Sequence, residues 1–398
     1  ARAVEASPCA SHLPAWLTSK EAFVRKDEPA ELQGLHILCL WQDLANSTTG
    51  IQMEAYSGGV LGKATRHIIP SSSSESWSLF RAELVQKLRI RRATNDWGYL
   101  ELKQAFGLYD QYGTRLATPA AAIQAGLVFL FEGGQWLWPP VQVGYVRKLP
   151  GSDMALETLS VQPLVFRVRG FLLPEECDEI IDLGRPNMME SPVTLMDKDR
   201  GKAAKEFRTS TQARAAHTTS PILARLDRRV ANLTRVPEFH NEQVQILRYR
   251  SGEYYAAHLD NWDPAFYSGS DTAFMQHGHH NRMATVFWYL TSAEKGGHTL
   301  FPRAHGLPQP QDMWSCSKGL KVRPEKGTVV LWYSLRANGN TDPNGLHSGC
   351  PVEGSIEKWS ANFWVWNKPL RQAKRGLPDE GVDRYDEHGH FVVSEDEL

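Results

Sequence analysis

The chain has 398 residues, with 44 Lys and Arg against 45 Asp and Glu, so its formal net charge is −1. Hydrophobic residues make up 41% and charged residues 22%, which is typical of a folded globular protein and argues against a largely disordered chain. The near-zero charge gives no sign of the basic surface that a nucleic-acid binder needs. No apolar run reaches the roughly 18–20 residues that span a membrane, so no transmembrane segment is predicted in this chain.

Residues 1–30 show no clear periodicity and are predicted to form a lead-in segment. Residues 31–147 are predicted to form a small α+β domain, with a strand over 35–41, a helix over 76–88 and a strand over 127–131. The stretch from 108 to 139 resembles the end of a ubiquitin-like β-grasp unit. No catalytic cluster lies in this domain, so we expect a binding or packing module, with an adaptor role as an open alternative.

Residues 148–160 contain Pro150 and Gly151 and are predicted to be a linker. A second domain over 161–370 begins with a strand at 164–168 and a helix at 174–183, followed by a charged loop over 196–207 and a helix over 221–231. Aromatic and β-branched runs then predict strands over 244–249, 284–291, 327–335 and 358–366. This order predicts a double-sheet jelly roll. Residues 371–398 are predicted to be an acidic tail.

The five cysteines are few and widely spaced, which argues against a disulfide scaffold or a thiolate zinc site, with one or two disulfides left open. Glycosylation triplets at Asn46 and Asn232 and the final Glu-Asp-Glu-Leu favour the endoplasmic reticulum or secretory pathway, with a cytoplasmic location as the alternative. Because the chain starts at Ala1 rather than Met, a targeting or membrane segment upstream stays open.

The strongest chemical signal is the pair His258 and Asp260, with His347 far downstream. In an extended segment residues i and i+2 point to the same side, so His258 and Asp260 can chelate one ion together. A later strand of a jelly roll can bring His347 to the same ion. Two His and one carboxylate form the facial triad of non-haem Fe(II) oxygenases. A His-x-Asp sequence with a later His is common by chance, so the flanking sequence is needed to decide whether these residues form a metal site.

Four flanking blocks carry strand context around these residues: YRSGEYYAAHLDNW, RMATVFWYLTSAEKGGHTLFP, RPEKGTVVLWYSL and DPNGLHSGCPVEGSIEKWSANFWVWNKP. Their order and spacing closely resemble the 2-oxoglutarate-dependent prolyl 4-hydroxylase family, in its plant and algal type. The resemblance covers residues 164–369 and leaves out the N-terminal domain. It implies an oxidoreductase of the procollagen-proline 4-dioxygenase type, with a jelly-roll catalytic domain.

The resemblance also implies site residues. His258, Asp260 and His347 would bind Fe(II), and Lys358 would pair with the distal carboxylate of 2-oxoglutarate. Tyr249 and Thr299 would assist Lys358, while the peptide would contact Tyr255, Arg282 and Trp364. Arg208 and Ser210 match a family segment near the loop that closes over the peptide. An elementary argument supports the lysine: a buried carboxylate needs a cation and hydrogen-bond donors.

The implied activity is hydroxylation of prolyl residues at C4, with O₂ and 2-oxoglutarate consumed, succinate and CO₂ released, and ascorbate as reductant. Two alternatives stay open: a dioxygenase of the same fold acting on another residue or a small molecule, and a non-catalytic module that binds proline-rich chains. Departures from the family pattern are Asn261 where Tyr is frequent, His298 where Glu is frequent, and one extra residue before Lys358. They leave substrate preference more open than reaction type. The histidines at 277, 279 and 280 are expected to lie in a solvated loop.

Overall fold

A computed structural model describes residues 32–42, 50–57, 64–90, 106–263, 266–267 and 281–370. They fall into two compact units, one covering the described residues up to 141 together with 336–340, and the other covering 142–335 and 341–370. The predicted lead-in, the predicted acidic tail, Asn46 and the histidines at 277–280 lie outside the described residues. None of the described helices has both the length and the apolar character needed to cross a membrane.

The described residues of the first unit form a five-stranded sheet with two α-helices. Its elements are β1 (Leu35–Gln42), β2 (Ile51–Ser57), β3 (Thr65–Ile69), α1 (Trp77–Leu88), β4 (Gly107–Tyr109), α2 (Pro119–Ala125) and β5 (Leu127–Phe131). The strand order is β3-β2-β1-β5-β4, and every neighbouring pair is antiparallel. The small α+β domain is therefore present. Its ubiquitin-like character is unconfirmed, since a β-grasp sheet pairs its first and last strands in parallel.

Hydroxyl caps start both helices of this unit. The Ser76 hydroxyl accepts a hydrogen bond from the Leu79 backbone N–H, and Thr118 does the same for Ala121 ahead of Pro119. A capping oxygen satisfies one of the free N–H groups of the first turn, and a proline suits the first helical position. Helix α1 then buries Phe80 and Leu84 in the apolar core of the unit.

In the part of the second unit that the structure describes, strands β6 to β20 are accompanied by two α-helices, α3 and α4. Its elements are β6 (Val146–Lys148), β7 (Ala155–Val161), β8 (Leu164–Arg169), α3 (Pro174–Gly184), β9 (Met189–Glu190), β10 (Thr211–Ala215), α4 (Pro221–Thr234), β11 (Val244–Tyr249), β12 (Tyr255–His258), β13 (Arg282–Tyr289), β14 (Lys295–Gly296), β15 (Thr299–Phe301), β16 (Leu320–Val322), β17 (Val329–Tyr333), β18 (His347–Gly349), β19 (Val352–Glu353) and β20 (Lys358–Trp366).

These strands form the two sheets of a jelly roll. The major sheet has the order β6-β7-β8-β17-β13-β20-β11-β10-β9, and the minor sheet has the order β12-β18-β15-β16. Strands β14 and β19 pair separately. One buried cluster joins residues of the two sheets, among them Phe287, Trp332, Phe301 and Val322. The predicted double-sheet architecture is confirmed, and the strands predicted over 244–249 and 358–366 have the observed bounds.

The linker predicted over 148–160 is corrected by the structure. Pro150 and Gly151 belong to the turn of a hairpin in which β6 pairs with β7, and β7 pairs in turn with β8. Residues 155–161 alternate between buried and partly buried positions, which is the pattern of a strand with one face on a core. A Pro-Gly pair marks a turn as readily as a linker. The boundary between the two units lies at 141/142 instead.

Candidate active site

The two predicted histidines meet across a pair of minor-sheet strands. His258 ends β12, His347 begins β18, and the two residues are direct partners in the antiparallel register. Asp260 follows His258 by two residues and lies on the same side. The Nε2 atom of His258 is 3.7 Å from Asp260 Oδ1, and that of His347 is 3.5 Å from Asp260 Oδ2. One donor atom from each residue fits within a 4.8 Å cluster, which is the spacing of ligands around one metal ion.

Backbone carbonyls fix which nitrogen each imidazole offers. His258 Nδ1 donates to the Ala256 carbonyl at 2.9 Å, and His347 Nδ1 donates to the Gly345 carbonyl at 2.9 Å. With the proton held on Nδ1, the lone pair of each Nε2 faces the cluster. The aromatic rings of Tyr255 and Trp332 pack on the two imidazoles and fix their planes. Both side chains are therefore oriented as metal ligands.

Asp260 is held by its own partner. The Thr285 hydroxyl on β13 donates to Asp260 Oδ2 at 2.6 Å, which leaves Oδ1 open toward the cluster. Burial pushes the pKa of Asp260 upward, but His347, His258, Arg282 and the Thr285 hydroxyl outweigh it and the pKa lies below the usual range. Burial lowers the pKa of His258 to about 3, with His347 adding to the effect. The cluster thus offers two imidazole nitrogens and one carboxylate, the donor set that suits Fe(II).

Lys358 lies at the bottom of a narrow pocket that also reaches both histidines. The pocket is lined by Lys358, Tyr249, Thr299, His258 and His347. Lys358 opens β20 directly opposite Tyr249 in the register with β11, and the lysine is only 1% exposed. Its Nζ is 4.9 Å from the Tyr249 ring centroid, and no carboxylate among the described residues forms an ion pair with it. Burial lowers the pKa of Lys358 to about 7.

A buried lysine without a protein counter-charge is costly to the fold, so its natural partner is an anion that enters the pocket. The anion needs donors besides the lysine. Thr299 Oγ1 accepts from the Tyr289 hydroxyl at 2.6 Å, which turns the threonine hydroxyl hydrogen toward other acceptors. Gly297 leaves room for the lysine stem: its φ is +65°, and a Cβ there would lie 3.3 Å from Lys358 Cδ.

A wider groove opens on the other side of the metal cluster. Its cavity of about 370 Å³ lies within the roughly 300–1,000 Å³ range of ligand pockets. Tyr255, Arg282 and Trp364, the three predicted peptide contacts, all line it. His258 and Asp260 of the metal cluster line it as well. The structure thus places the three predicted contacts around one cavity that adjoins the metal cluster.

Arg282 is more constrained than the sequence indicated. Its Nε and Nη2 donate to the two carboxylate oxygens of Glu242, each at 2.9 Å. Its guanidinium carbon lies 3.5 Å from the Trp364 ring centroid and 4.4 Å from that of Trp262. An arginine that is paired and stacked in this way orients Trp364 and Trp262, and it can still donate a hydrogen bond. Its Nη1 reaches the Asp260 carbonyl at 3.5 Å, so Arg282 also ties the groove to the metal-binding segment.

An arm over residues 307–319 forms one wall of the groove. Met313 and Trp314 line the cavity, and the Met313 carbonyl accepts from the Ala257 backbone N–H at 2.8 Å. The Trp314 indole N–H donates to the Glu206 carbonyl at 3.0 Å. Near the end of the arm, Cys316 forms a disulfide with Cys350, which lies just beyond β18. Cys177 is a buried free thiol.

Sequence reasoning missed several residues that hold the site. Thr285, Phe287 and Tyr289 alternate along β13 and contact the aspartate, the lysine and Thr299 in turn. Glu242 and Asn362 were missed as well; Glu242 pairs with Arg282, and Asn362 lines both cavities. The period of two in the block RMATVFWYL was a signal for the β13 set, because residues two apart in a strand share a face.

A jelly roll that presents two histidines and a carboxylate beside a buried lysine is the site of a 2-oxoglutarate-dependent Fe(II) dioxygenase. Residues 244–366 match the family model of the 2OG-Fe(II) oxygenase superfamily. This match covers β11 to β20, the strands that carry the metal cluster and Lys358.

Relatives from Arabidopsis thaliana narrow the family. The chain is 41% identical over 228 residues to Probable prolyl 4-hydroxylase 6, covering 56% of this chain and 75% of that protein. It is 38% identical over 233 residues to Probable prolyl 4-hydroxylase 7, covering 56% and 70%. A viral collagen prolyl hydroxylase of Paramecium bursaria Chlorella virus-1 aligns at 25% identity over 51% of this chain and 95% of its own, with a TM-score of 0.36. The chain belongs to the prolyl 4-hydroxylase family.

Proposed function

We propose that the protein hydroxylates prolyl residues of peptides or proteins at C4, using Fe(II), O₂ and 2-oxoglutarate and releasing succinate and CO₂. The observation that carries the proposal is the cluster of His258, Asp260 and His347 between two cavities. One cavity contains a buried lysine that has no ion-pair partner among the described residues, and the other is an aromatic-walled groove. Relatives named prolyl 4-hydroxylases support the choice of substrate.

Each residue has a role that follows from its contacts. His258, Asp260 and His347 would hold the iron, with Thr285 keeping the carboxylate in its orientation. When bound, iron and 2-oxoglutarate supply the oxidising power for C–H hydroxylation. The buried Lys358, Tyr249 and Thr299 would bind the distal carboxylate of 2-oxoglutarate and exclude water from that pocket. The cation and donors there match a dicarboxylate long enough to span from the cluster to the lysine.

On the groove side, aromatic faces suit proline rings. Tyr255 stacks on His258 with ring centroids 3.6 Å apart, and the Arg208 guanidinium lies 4.5 Å from its centroid, so a proline that contacts the remaining surface of Tyr255 lies next to the metal position. Trp364 and the stacked Arg282 form the opposite surface. This arrangement positions a proline C–H bond near the iron while the peptide extends along the groove, and such positioning contributes much of an enzyme's rate enhancement.

The direct test is turnover of a small panel of proline-rich peptides with Fe(II), O₂ and 2-oxoglutarate. We expect a gain of one oxygen on proline, mapped to C4, with one succinate formed per hydroxyl. Oxygen on another residue, or succinate formed only with a small molecule, would support the alternative dioxygenase functions. No 2-oxoglutarate turnover with any substrate would leave a non-catalytic proline-rich-chain binder.

Ascorbate as reductant and a place in the endoplasmic reticulum or secretory pathway belong to the same proposal. The Cys316–Cys350 disulfide supports the location, because disulfides persist in oxidising compartments. Omitting ascorbate should shorten the time over which product accumulates without changing the first turnovers. Fractionation of cells that express the tagged protein tests the location, and recovery in the cytosolic fraction would favour the cytoplasmic alternative.

A further inference from the structure

Asn261 lies where the metal-binding segment becomes the groove wall. It follows Asp260 directly, lines the groove and is 2% exposed. Neither its Oδ1 nor its Nδ2 has a hydrogen-bond partner among the described residues. Most buried polar side chains are paired, and an unpaired one destabilises the fold. A buried carboxamide in this state, at the edge of a substrate groove, points to a partner that arrives with the substrate.

Two other polar groups of the groove share this condition. The Nη2 of Arg208 and the Nε1 of Trp364 are buried and unpartnered among the described residues. Both groups can only donate, so they suit the carbonyl oxygens of a peptide. Among the described side chains that line the groove, the Oδ1 of Asn261 is the one buried, unpartnered acceptor. An acceptor is what the main-chain N–H of a peptide needs.

We infer that Asn261 is a specificity-determining residue whose carboxamide pairs with the main chain of the peptide beside the reactive proline. Its Oδ1 accepts from a peptide N–H, and its Nδ2 donates to a peptide carbonyl. Rotation about χ2 of an asparagine is soft, so the amide can turn toward the groove without moving Asp260. The inference rests on the proposed prolyl hydroxylase function, since it concerns the peptide of that reaction.

This pairing selects a class of substrate. Proline has no main-chain N–H, so the residue that meets Asn261 Oδ1 is not proline. The protein therefore prefers chains in which the reactive proline is flanked by another residue over uninterrupted polyproline. In polyproline the Asn261 acceptor stays unpaired, and a buried polar group left unpaired by an analogue is a strong source of discrimination.

The test uses the full chain and pairs of peptides with alternating proline. In one peptide of each pair, a single residue flanking the reactive proline is N-methylated. Binding is measured by fluorescence anisotropy, which needs no turnover, and hydroxylation by mass. We expect N-methylation at one flanking position to weaken wild-type binding about tenfold, which is the loss expected for one hydrogen bond. Asn261→Leu should bind the unmodified peptide about as weakly and should not distinguish the pair.

Asn241→Leu is the matched control, because Asn241 is buried to the same degree, lies outside the groove lining and donates from Nδ2 to Asp227 Oδ1 at 2.7 Å. It should keep the wild-type preference and lower the Tm, whereas Asn261→Leu should keep or raise the Tm. The inference is overturned if Asn261→Leu keeps the preference, or if it lowers the Tm with unchanged peptide affinity, as a purely structural amide would. If peptides bind with the expected preference but gain no oxygen, the proposed function fails and the inference about binding stands. If no proline peptide binds the wild type, both are overturned.

Discussion

The metal end and the groove end of the site are built in opposite ways. At the metal end, His258, His347 and Asp260 each have a hydrogen-bond partner that fixes their orientation. At the groove end, Arg208, Trp364 and Asn261 are buried with polar atoms that have no partner among the described residues. The reaction needs metal ligands whose geometry is fixed before the substrate arrives. Substrate recognition instead needs hydrogen-bonding groups that stay unpaired until the substrate binds.

The largest effect should follow from removing a metal ligand. His258→Ala or His347→Ala takes away one of three donors from a cluster of atoms within 4.8 Å, and we expect no hydroxylated product above background. Circular dichroism checks that the jelly roll is intact, and iron content is measured directly. Full activity in a folded His347→Ala variant would show that the metal end works without this ligand. The contrast between the two ends would then fail.

The next effect concerns the buried cation. Lys358→Ala should weaken 2-oxoglutarate binding by roughly thirty-fold or more, because removing one partner of a buried charge pair costs about 2–5 kcal/mol and tenfold is about 1.4 kcal/mol. Lys358→Arg keeps the charge and should retain part of the affinity. Titration calorimetry on the iron-loaded protein measures the affinity.

Lys326→Ala is the control for this change, since Lys326 forms a surface ion pair with Asp178 and should leave 2-oxoglutarate affinity unchanged. Unchanged affinity in Lys358→Ala would place the distal carboxylate elsewhere, with Arg282 as the next cation to test. It would also mean that the extra residue before Lys358 had misaligned the motif.

Thr285→Val tests whether orientation at the metal end matters apart from ligand identity. The change removes the 2.6 Å hydrogen bond to Asp260 Oδ2 at nearly constant volume. Loss of such an outer partner typically lowers metal affinity about 10–100-fold. Competition with a fluorescent chelator gives the Fe(II) affinity, and peptide affinity should not change. Wild-type iron affinity in this variant would show that strand geometry alone orients the carboxylate.

The binding of 2-oxoglutarate should depend on pH in a direction set by Lys358. Burial lowers its pKa to about 7, so above that pH the free protein must take up a proton to pair with the carboxylate. Affinity should therefore fall about tenfold per pH unit above pH 7 and level off below it. Calorimetry in buffers of different ionisation enthalpy should show about one proton taken up near pH 8. A flat profile from pH 7 to 9 would mean that the lysine is already charged.

The smallest effect is expected from the first unit, which carries none of the cluster or pocket residues. A chain starting at residue 142 should still convert 2-oxoglutarate to succinate at the wild-type rate. The chain starts at 142 rather than after the predicted linker, because β6 is an edge strand of the major sheet. If the truncated protein folds but is inactive, the first unit is needed to complete the site.

The sequence predicted the metal end better than the groove end for a physical reason. His258 and Asp260 share a strand side through the period of two, and Lys358 begins a run whose strand has the predicted bounds. Glu242 and Met313, by contrast, reach the site from separate segments through tertiary contacts that no local spacing encodes. The hairpin of β6 and β7 was missed because a Pro-Gly turn was interpreted as a linker.

The Cys316–Cys350 disulfide has a consequence for how the groove can change during evolution. It closes a loop of 34 residues, and constraining such a loop stabilises a fold by about 4 kcal/mol through the entropy of the unfolded chain. The arm is therefore held covalently at its end, and Trp314 within it is 48% exposed. Substitutions along the exposed arm can alter which peptides fit while the iron-binding strand beside Cys350 keeps its stability, so new substrate preferences can arise without loss of the fold.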